Sequence, residues 1–370
     1  MADWVALFAI AAALYFIECL AWIEGPATAC FAPVLRSSWI CARGEDLPGN
    51  ERGGLALLNP LRLTGSLVAS SPWPFAMSPE GLSSFGSHPW TLAGAAPRAL
   101  PFAEIQTVEA SFGRILINGA PFVRVGSVMF AADLACQIRE LSRQTATERT
   151  AAIESAMRTA LDETRVQETW SAFRRDTRRL ATVATALLGY LFLFSPAVIF
   201  GIGPHPFWLY LLIGLFALAL TVAIQFFRLH SRLCPGFTFE RWTQAFSMFA
   251  VPISAIRAAD KLSRERLRGF SVIAIAPTLC GADTATPLLR RIWFDLPSAS
   301  QAADACTAWF LERLRKETKA ALDRQKVPVL APPDQEPAMT SYCPRCHTQF
   351  TTDARRECTE CTGMQLAAFG

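Results

Sequence analysis

The final 30 residues carry the most definite chemistry in the chain: Cys343-Pro-Arg-Cys346 and Cys358-Thr-Glu-Cys361, two C-x2-C pairs separated by eleven residues. A two-residue gap lets both sulfurs of a pair face one ion while the amides of the tight turn help stabilise sulfur charge. Two pairs supply four donors, a complete tetrahedron at metal–sulfur distances of about 2.3 Å. No position is then left for water or substrate, so the expected role of the ion is structural. Cys343, Cys346, Cys358 and Cys361 are the candidate metal ligands, with Zn2+ as the expected ion.

On these residues the segment 341–367 resembles the zinc-ribbon (rubredoxin-like four-cysteine) family. Pro344 follows the first cysteine, Phe350 falls on the intervening hairpin, and Gly363 and Leu366 follow the second pair. His347 stands where glycine commonly follows the first pair. The resemblance implies two knuckles around one metal, which supplies folding free energy that so small a segment lacks. An iron site uses the same four sulfurs, so spacing leaves zinc against iron open. Cys343-x-x-Cys346-His347 also spells a haem c attachment signature, against which the second pair and the expected cytoplasmic placement argue.

Elsewhere the usual marks of catalysis are missing. His88, His205 and His230 form no H-x-x-x-H or H-E-x-x-H, and there is no G-x-S-x-G, G-x-x-x-x-G-K-[ST] or G-x-G-x-x-G. No catalytic residue is nominated. The other seven cysteines, Cys19, Cys30, Cys41, Cys136, Cys234, Cys280 and Cys306, are scattered, and most are expected to be buried small apolar residues.

The elements that must position the ribbon are dominated by a hydrophobic surplus. Of 370 residues, 52% are hydrophobic and 18% charged, against about 25% charged in ordinary soluble chains. That composition excludes disorder, eleven cysteines are too few for a disulfide scaffold, and a net charge of +4 does not argue for nucleic acid. Between Arg179 and Arg228 lie 48 residues without Asp, Glu, Lys or Arg, interrupted by Gly203-Pro-His-Pro206. This predicts a hairpin of two spans, 180–202 and 207–227, each long enough for a hydrocarbon layer of about 30 Å. A third span is expected over 4–23, where Trp4 and Trp22 would lie about 27 Å apart as interfacial anchors and no basic residue precedes Arg36 as a cleaved signal would require. Glu18 is close enough to Trp22 to reach the interface, and His205 falls in the outer turn.

Arg174, Arg175, Arg178 and Arg179 precede the hairpin, and Arg228, Arg232 and Arg241 follow it. Positive-inside bias places both ends of the hairpin in the cytoplasm, which for three spans leaves the N-terminus outside. The Arg174–Arg179 cluster could contact nucleic acid, but its adjacency to a span favours a lipid-facing collar.

The expected fold class is mixed: a three-span α-helical membrane anchor with a cytoplasmic α+β module, helical segments and a small C-terminal zinc ribbon. Its divisions are residues 1–25 (first transmembrane helix), 26–145 (α+β module), 146–179 (amphipathic helix and basic segment), 180–229 (transmembrane hairpin), 230–326 (helical region), 327–340 (Pro-rich linker) and 341–370 (ribbon). In the α+β module, Arg114–Ile117 and Phe122–Val125 flank Asn118-Gly119, a hairpin signal, and Met129, Leu134, Ile138 and Leu141 then make a helical stripe. Thr145 and Glu148 fit a capping box ahead of Ile153, Met157 and Leu161. Later, 246–256 is apolar but short, 270–277 is a short buried run of either type, and 302–322 reads as a helix.

The function expected is an integral membrane scaffold or assembly protein whose ribbon engages a protein partner. The alternatives are a membrane enzyme with its site between the cytoplasmic modules, or ribbon-mediated nucleic-acid binding through Arg345, Arg355 and Arg356. Three arginines with no aromatic platform beyond Phe350 make nucleic acid the weakest of these.

Overall fold

The computed structural model describes residues 29–31, 40–42, 67–69, 72–84, 99–125, 128–195, 197–198, 208–233, 239, 241–243, 245–246, 262, 265–327, 331–351, 356–361 and 363–369. Helices and small antiparallel sheets are mixed in two compact units. One comprises Met1–Cys30, Cys41–Val68 and Gln167–Leu267, the other Phe31–Ile40, Ala69–Val166 and Arg268–Gly370.

The described residues between Ala29 and Arg124 form mainly short strands. β1 (Ala29–Phe31), β2 (Ile40–Ala42) and β3 (Leu67–Ala69) form a sheet in the order β2-β1-β3. β4 (Phe75–Met77), β5 (Gly81–Ser84) and β6 (Ala99–Pro101) form an antiparallel meander, with β4 and β5 buried on both faces. A third sheet contains β7 (Val108–Ser111), β8 (Arg114–Ile117) and β9 (Ala120–Arg124). Its second turn is the predicted Asn118-Gly119, at φ 52° and 75°. Asn118 does more than turn: its Oδ1 accepts from the Gln106 and Thr107 amides, and its Nδ2 donates to the Glu104 carbonyl.

The predicted helical stripe becomes α1 (Val128–Arg143), which buries Leu134, Ile138 and Leu141 and packs on β7 and β8; Met129 is only half-buried. α2 (Ala146–Ala160) begins at the expected capping box. Thr145 Oγ1 accepts from the Glu148 amide at 3.4 Å, and Glu148 Oε2 accepts from the Thr145 amide at 2.8 Å. Ile153, Met157 and Leu161 are buried.

α3 (Glu163–Gly189) continues into a π-helical turn at Tyr190–Phe194. Its buried residues Val166, Trp170, Phe173, Thr177, Leu180, Ala184 and Leu187 alternate in steps of four and three, the spacing of a coiled-coil seam. α4 (Trp208–Leu233) has one buried face containing Ala219, Val222, Phe226, Leu229 and Leu233. Two contacts make α3 and α4 antiparallel neighbours. Arg232 pairs with Asp176 at 3.0 Å, and the Tyr190 hydroxyl donates to the Leu211 carbonyl at 2.9 Å while lying over Gly214.

Leu209–Leu233, with a mean hydropathy of 2.3, is the one helix among the described residues long and apolar enough to cross a membrane. Its outer face exposes Leu209, Tyr210, Ile213, Phe216, Leu220 and Ile224 to between 43% and 69%. The expectation of three spans is therefore not supported. The expected second span does not start a helix at Leu180, because the α3 seam runs through that point unbroken. The stretch 4–23 with Glu18, the turn at 203–206 with His205, and most of 246–256 lie outside the described residues.

In the second unit, α5 (Val272–Asp295) corrects the reading of 270–277 as a short separate run, because the helix passes through both Pro277 and Pro287. Pro277 has no amide to donate to the Ile273 carbonyl four residues earlier. The Gln325 side chain supplies a donor to that carbonyl at 3.4 Å. Residues Val272 to Ala276 are buried all round, so burial overrides the proline penalty. α6 (Ala305–Arg324) matches the expected helix, packs against β4, β5, α2 and α5, and ends with Lys326 at φ 55° and the Val327 amide donating to the Leu322 carbonyl. The chain then reaches β10 (Ser341–Tyr342), β11 (Gln349–Phe350) and β12 (Ala367–Ala368), an antiparallel sheet in the order β11-β10-β12.

Candidate metal centre

The hairpin β10–β11 carries the first cysteine pair at its turn. The Cys343 amide donates to the Thr348 carbonyl at 2.9 Å and the His347 amide to the Cys343 carbonyl at 2.8 Å, which curls the loop so that both sulfurs face inward. The closing residue must adopt a left-handed conformation, and His347 does so at φ 63°, taking the position where glycine is commonly found. The second pair makes an equivalent loop: the Met364 amide donates to the Cys361 carbonyl at 3.0 Å and the Cys358 amide to the Met364 carbonyl at 2.9 Å, with Gly363 at φ 74°.

The structure brings together all four residues that the sequence nominates. The sulfurs of Cys343, Cys346, Cys358 and Cys361 lie within 4.8 Å of one another. Cys346 Sγ and Cys358 Sγ are 3.7 Å apart. A tetrahedron with bonds of about 2.3 Å has sulfur–sulfur edges of about 3.8 Å, whereas a disulfide would require about 2.05 Å. All four are free thiols. Cys343, Cys358 and Cys361 are buried, and Phe350, Met364 and Leu366 pack on them. The donor set and its spacing thus fit a single tetrahedral ion.

The thiols are electrostatically unequal. Burial pushes Cys343 up to about 12 and also raises Cys361. Burial opposes ionisation of Cys346 as well, but hydrogen bonds from the Thr348 hydroxyl and amide, together with those from Cys343 and Cys361, outweigh it and lower Cys346 to about 7. Thr348 Oγ1 is 3.1 Å from Cys346 Sγ.

Two arginines flank the sulfurs, and sequence reasoning anticipated neither role. Arg345, inside the first pair, donates from Nη1 to Cys361 Sγ at 3.2 Å. The same guanidinium grips Asp295, the last residue of α5, with Nε to Oδ1 at 3.0 Å and Nη2 to Oδ2 at 2.8 Å. Asp295 is only 6% exposed, and its carboxylate is the main reason that Arg345 holds its proton more tightly than usual. Arg290, also on α5, is buried; burial works against its charge and Cys346 supports it. Local sequence contains no sign that a helix end fifty residues upstream meets this loop. Arg345 was singled out only as a phosphate contact, and its commitment to Asp295 weakens that use.

The end of the Pro-rich segment is tied to the ribbon. The Gln349 side chain accepts from the Glu336 amide at 3.0 Å and donates to the Asp334 carbonyl at 2.8 Å, and the Thr340 amide donates to the Phe350 carbonyl at 2.9 Å. Tyr342 packs against Phe369 and, edge-on, against His347.

Of the remaining cysteines, most of which are expected to be buried, Cys136 is exposed on the outer face of α1, between the buried Leu134 and Ile138 in the chain. Cys306 is half-buried, donates to the Gly81 carbonyl, and is pushed up to about 11 chiefly by burial, so it is a poor nucleophile. Compared with protein-family models, curated proteins and solved structures, the chain matches none.

Proposed function

We propose that this chain is an integral membrane scaffold or assembly protein that holds a structural zinc ion in its C-terminal ribbon and presents the ribbon and its cytoplasmic modules to a protein partner. In this reading α4 crosses the bilayer, and the main modules and C-terminus lie in the cytoplasm. The apolar outer face of α4 supports a lipid environment, since six large exposed side chains on one helix are costly in water. Zinc is favoured because four thiolates in a tetrahedron suit it and a reducing compartment keeps them available.

The observation that carries the reading is the closed set of four sulfurs. Four protein ligands use every tetrahedral position, so the ion shapes a surface instead of activating a substrate. Arg356, Glu357, Thr359 and Glu360 around the second knuckle are exposed and form the face offered to a partner. Purification from detergent tests this directly. A stoichiometric partner chain should accompany the wild-type protein and disappear from the Cys343→Ser/Cys346→Ser variant; a partner retained by that variant contradicts ribbon-mediated docking.

A further inference from the structure

The geometry points to a second consequence of metal binding: the loaded ribbon is clamped onto the C-terminal end of α5, with Arg345 as the clamp. This rests on the metal reading above and deepens it. Arg345 lies between Cys343 and Cys346, so its position is set by the knuckle that those two sulfurs close. Its guanidinium uses three donors at once, two on Asp295 and one on Cys361 Sγ, and so touches the helix and both halves of the metal site.

The fork is demanding. A bidentate arginine–carboxylate pair requires the guanidinium plane and the carboxylate plane to align, which fixes direction as well as distance. Asp295 is 94% buried and is held at the helix end, where the next residue's carbonyl, that of Leu296, accepts from Arg315 and the Arg315 guanidinium covers Trp293. The helix side of the clamp is therefore rigid, and the knuckle is the side whose shape depends on the ion. Small four-cysteine modules take their folding free energy from metal, so removing it dissolves the loop that aims Arg345. Linkage is reciprocal, and docking on α5 must in turn slow the loss of the ion. The ribbon's first partner is thus the chain's own helix, and metal loading controls that docking.

The test uses purified, metal-loaded full-length protein. Hydrogen exchange across residues 289–295 is followed before and after addition of a strong chelator. Metal transfer to the chelator is timed for wild type, Asp295→Asn and Arg345→Lys. Asp295 lies outside the ribbon, and Arg345→Lys keeps the charge while losing the fork, so neither variant removes a ligand. Expected are faster exchange at 289–295 once metal leaves and metal loss at least roughly tenfold faster in both variants, as for partners that support metal ligands elsewhere. Unchanged exchange after chelation, or wild-type release rates in both variants, overturns the clamp and leaves the metal reading standing. A purified protein that binds no metal overturns the metal reading itself, and the clamp with it.

Discussion

Replacing Asp304 by Ala should be among the most damaging single changes outside the metal centre. Asp304 caps α6, accepting from the Thr307 amide and hydroxyl, both at 2.8 Å. It also accepts from the hydroxyl of Ser83 at 2.7 Å, and Ser83 is fully buried in β5. Loss of the cap costs about 1 kcal/mol, and leaving the Ser83 hydroxyl without an acceptor costs about 1–3 kcal/mol. The sum, about 2–4 kcal/mol, is read as a lowered midpoint in equilibrium denaturation of the full chain. Ser83→Ala in the Asp304→Ala background removes the orphaned hydroxyl, so the double variant should be no less stable than Asp304→Ala alone. The pH dependence has a definite sign. Burial raises the Asp304 value, but hydrogen bonds from Thr307, Ser83 and the Cys306 amide outweigh it and hold the carboxyl below its ordinary range. A depressed folded value stabilises above the unfolded value of about 3.9 and loses that contribution as pH falls through the folded one. The gap between wild type and Asp304→Asn should therefore be full near neutrality and close below about pH 4. A loss within 0.5 kcal/mol of zero for Asp304→Ala, or additive costs for the two substitutions, refutes the coupling of β5 to α6 through this carboxylate.

Three further outcomes follow from local geometry. A Cβ at Gly81 would lie 2.4 Å from the Leu100 carbonyl oxygen and 2.9 Å from Pro101 Cα, so Gly81→Ala should cost at least about 1–3 kcal/mol by prising β5 from β6, and an unchanged melting temperature contradicts the strand register. Phe112 holds φ 47° while 92% exposed, so Phe112→Asn should stabilise by about 1 kcal/mol in the same denaturation assay, and a loss of stability contradicts the turn. At Gly214 a Cβ would sit 2.4 Å from the Tyr190 hydroxyl, so Gly214→Ala should lower thermal stability, and Tyr190→Phe should relieve part of that penalty; full additivity of the two changes contradicts the contact.

The parts legible in the sequence are those governed by local rules. Four cysteines in two pairs, the Asn118-Gly119 turn, the Thr145–Glu148 capping box and the stripes of α1, α2 and α6 all announce themselves over a few residues. Phe350 and Leu366, singled out only through the ribbon resemblance, pack on the buried cysteines. What escaped depends on groups distant in the chain. Pro277 suggested a break because nothing nearby showed that Gln325 would serve the Ile273 carbonyl. The apolar run after Arg179 looked like the start of a span, although the heptad spacing from Val166 to Leu187 was available and signalled one continuous helix. Asp295 carried no mark of its part in the metal centre, because a helix-terminal aspartate is ordinary until Arg345 meets it. Composition over 327–340 suggests a spacer, and the hydrogen bonds of Gln349 to Asp334 and Glu336 cannot be read from composition.

Metal content of the purified chain is the most direct measurement. Elemental analysis should find one ion per chain, and cobalt substitution should give the absorption of a tetrahedral tetrathiolate. Both should be lost in Cys343→Ser/Cys358→Ser, which removes one ligand from each knuckle. Metal-free protein after metal-replete expression, or the same metal content in that variant, would contradict the assignment of these four sulfurs to one structural ion.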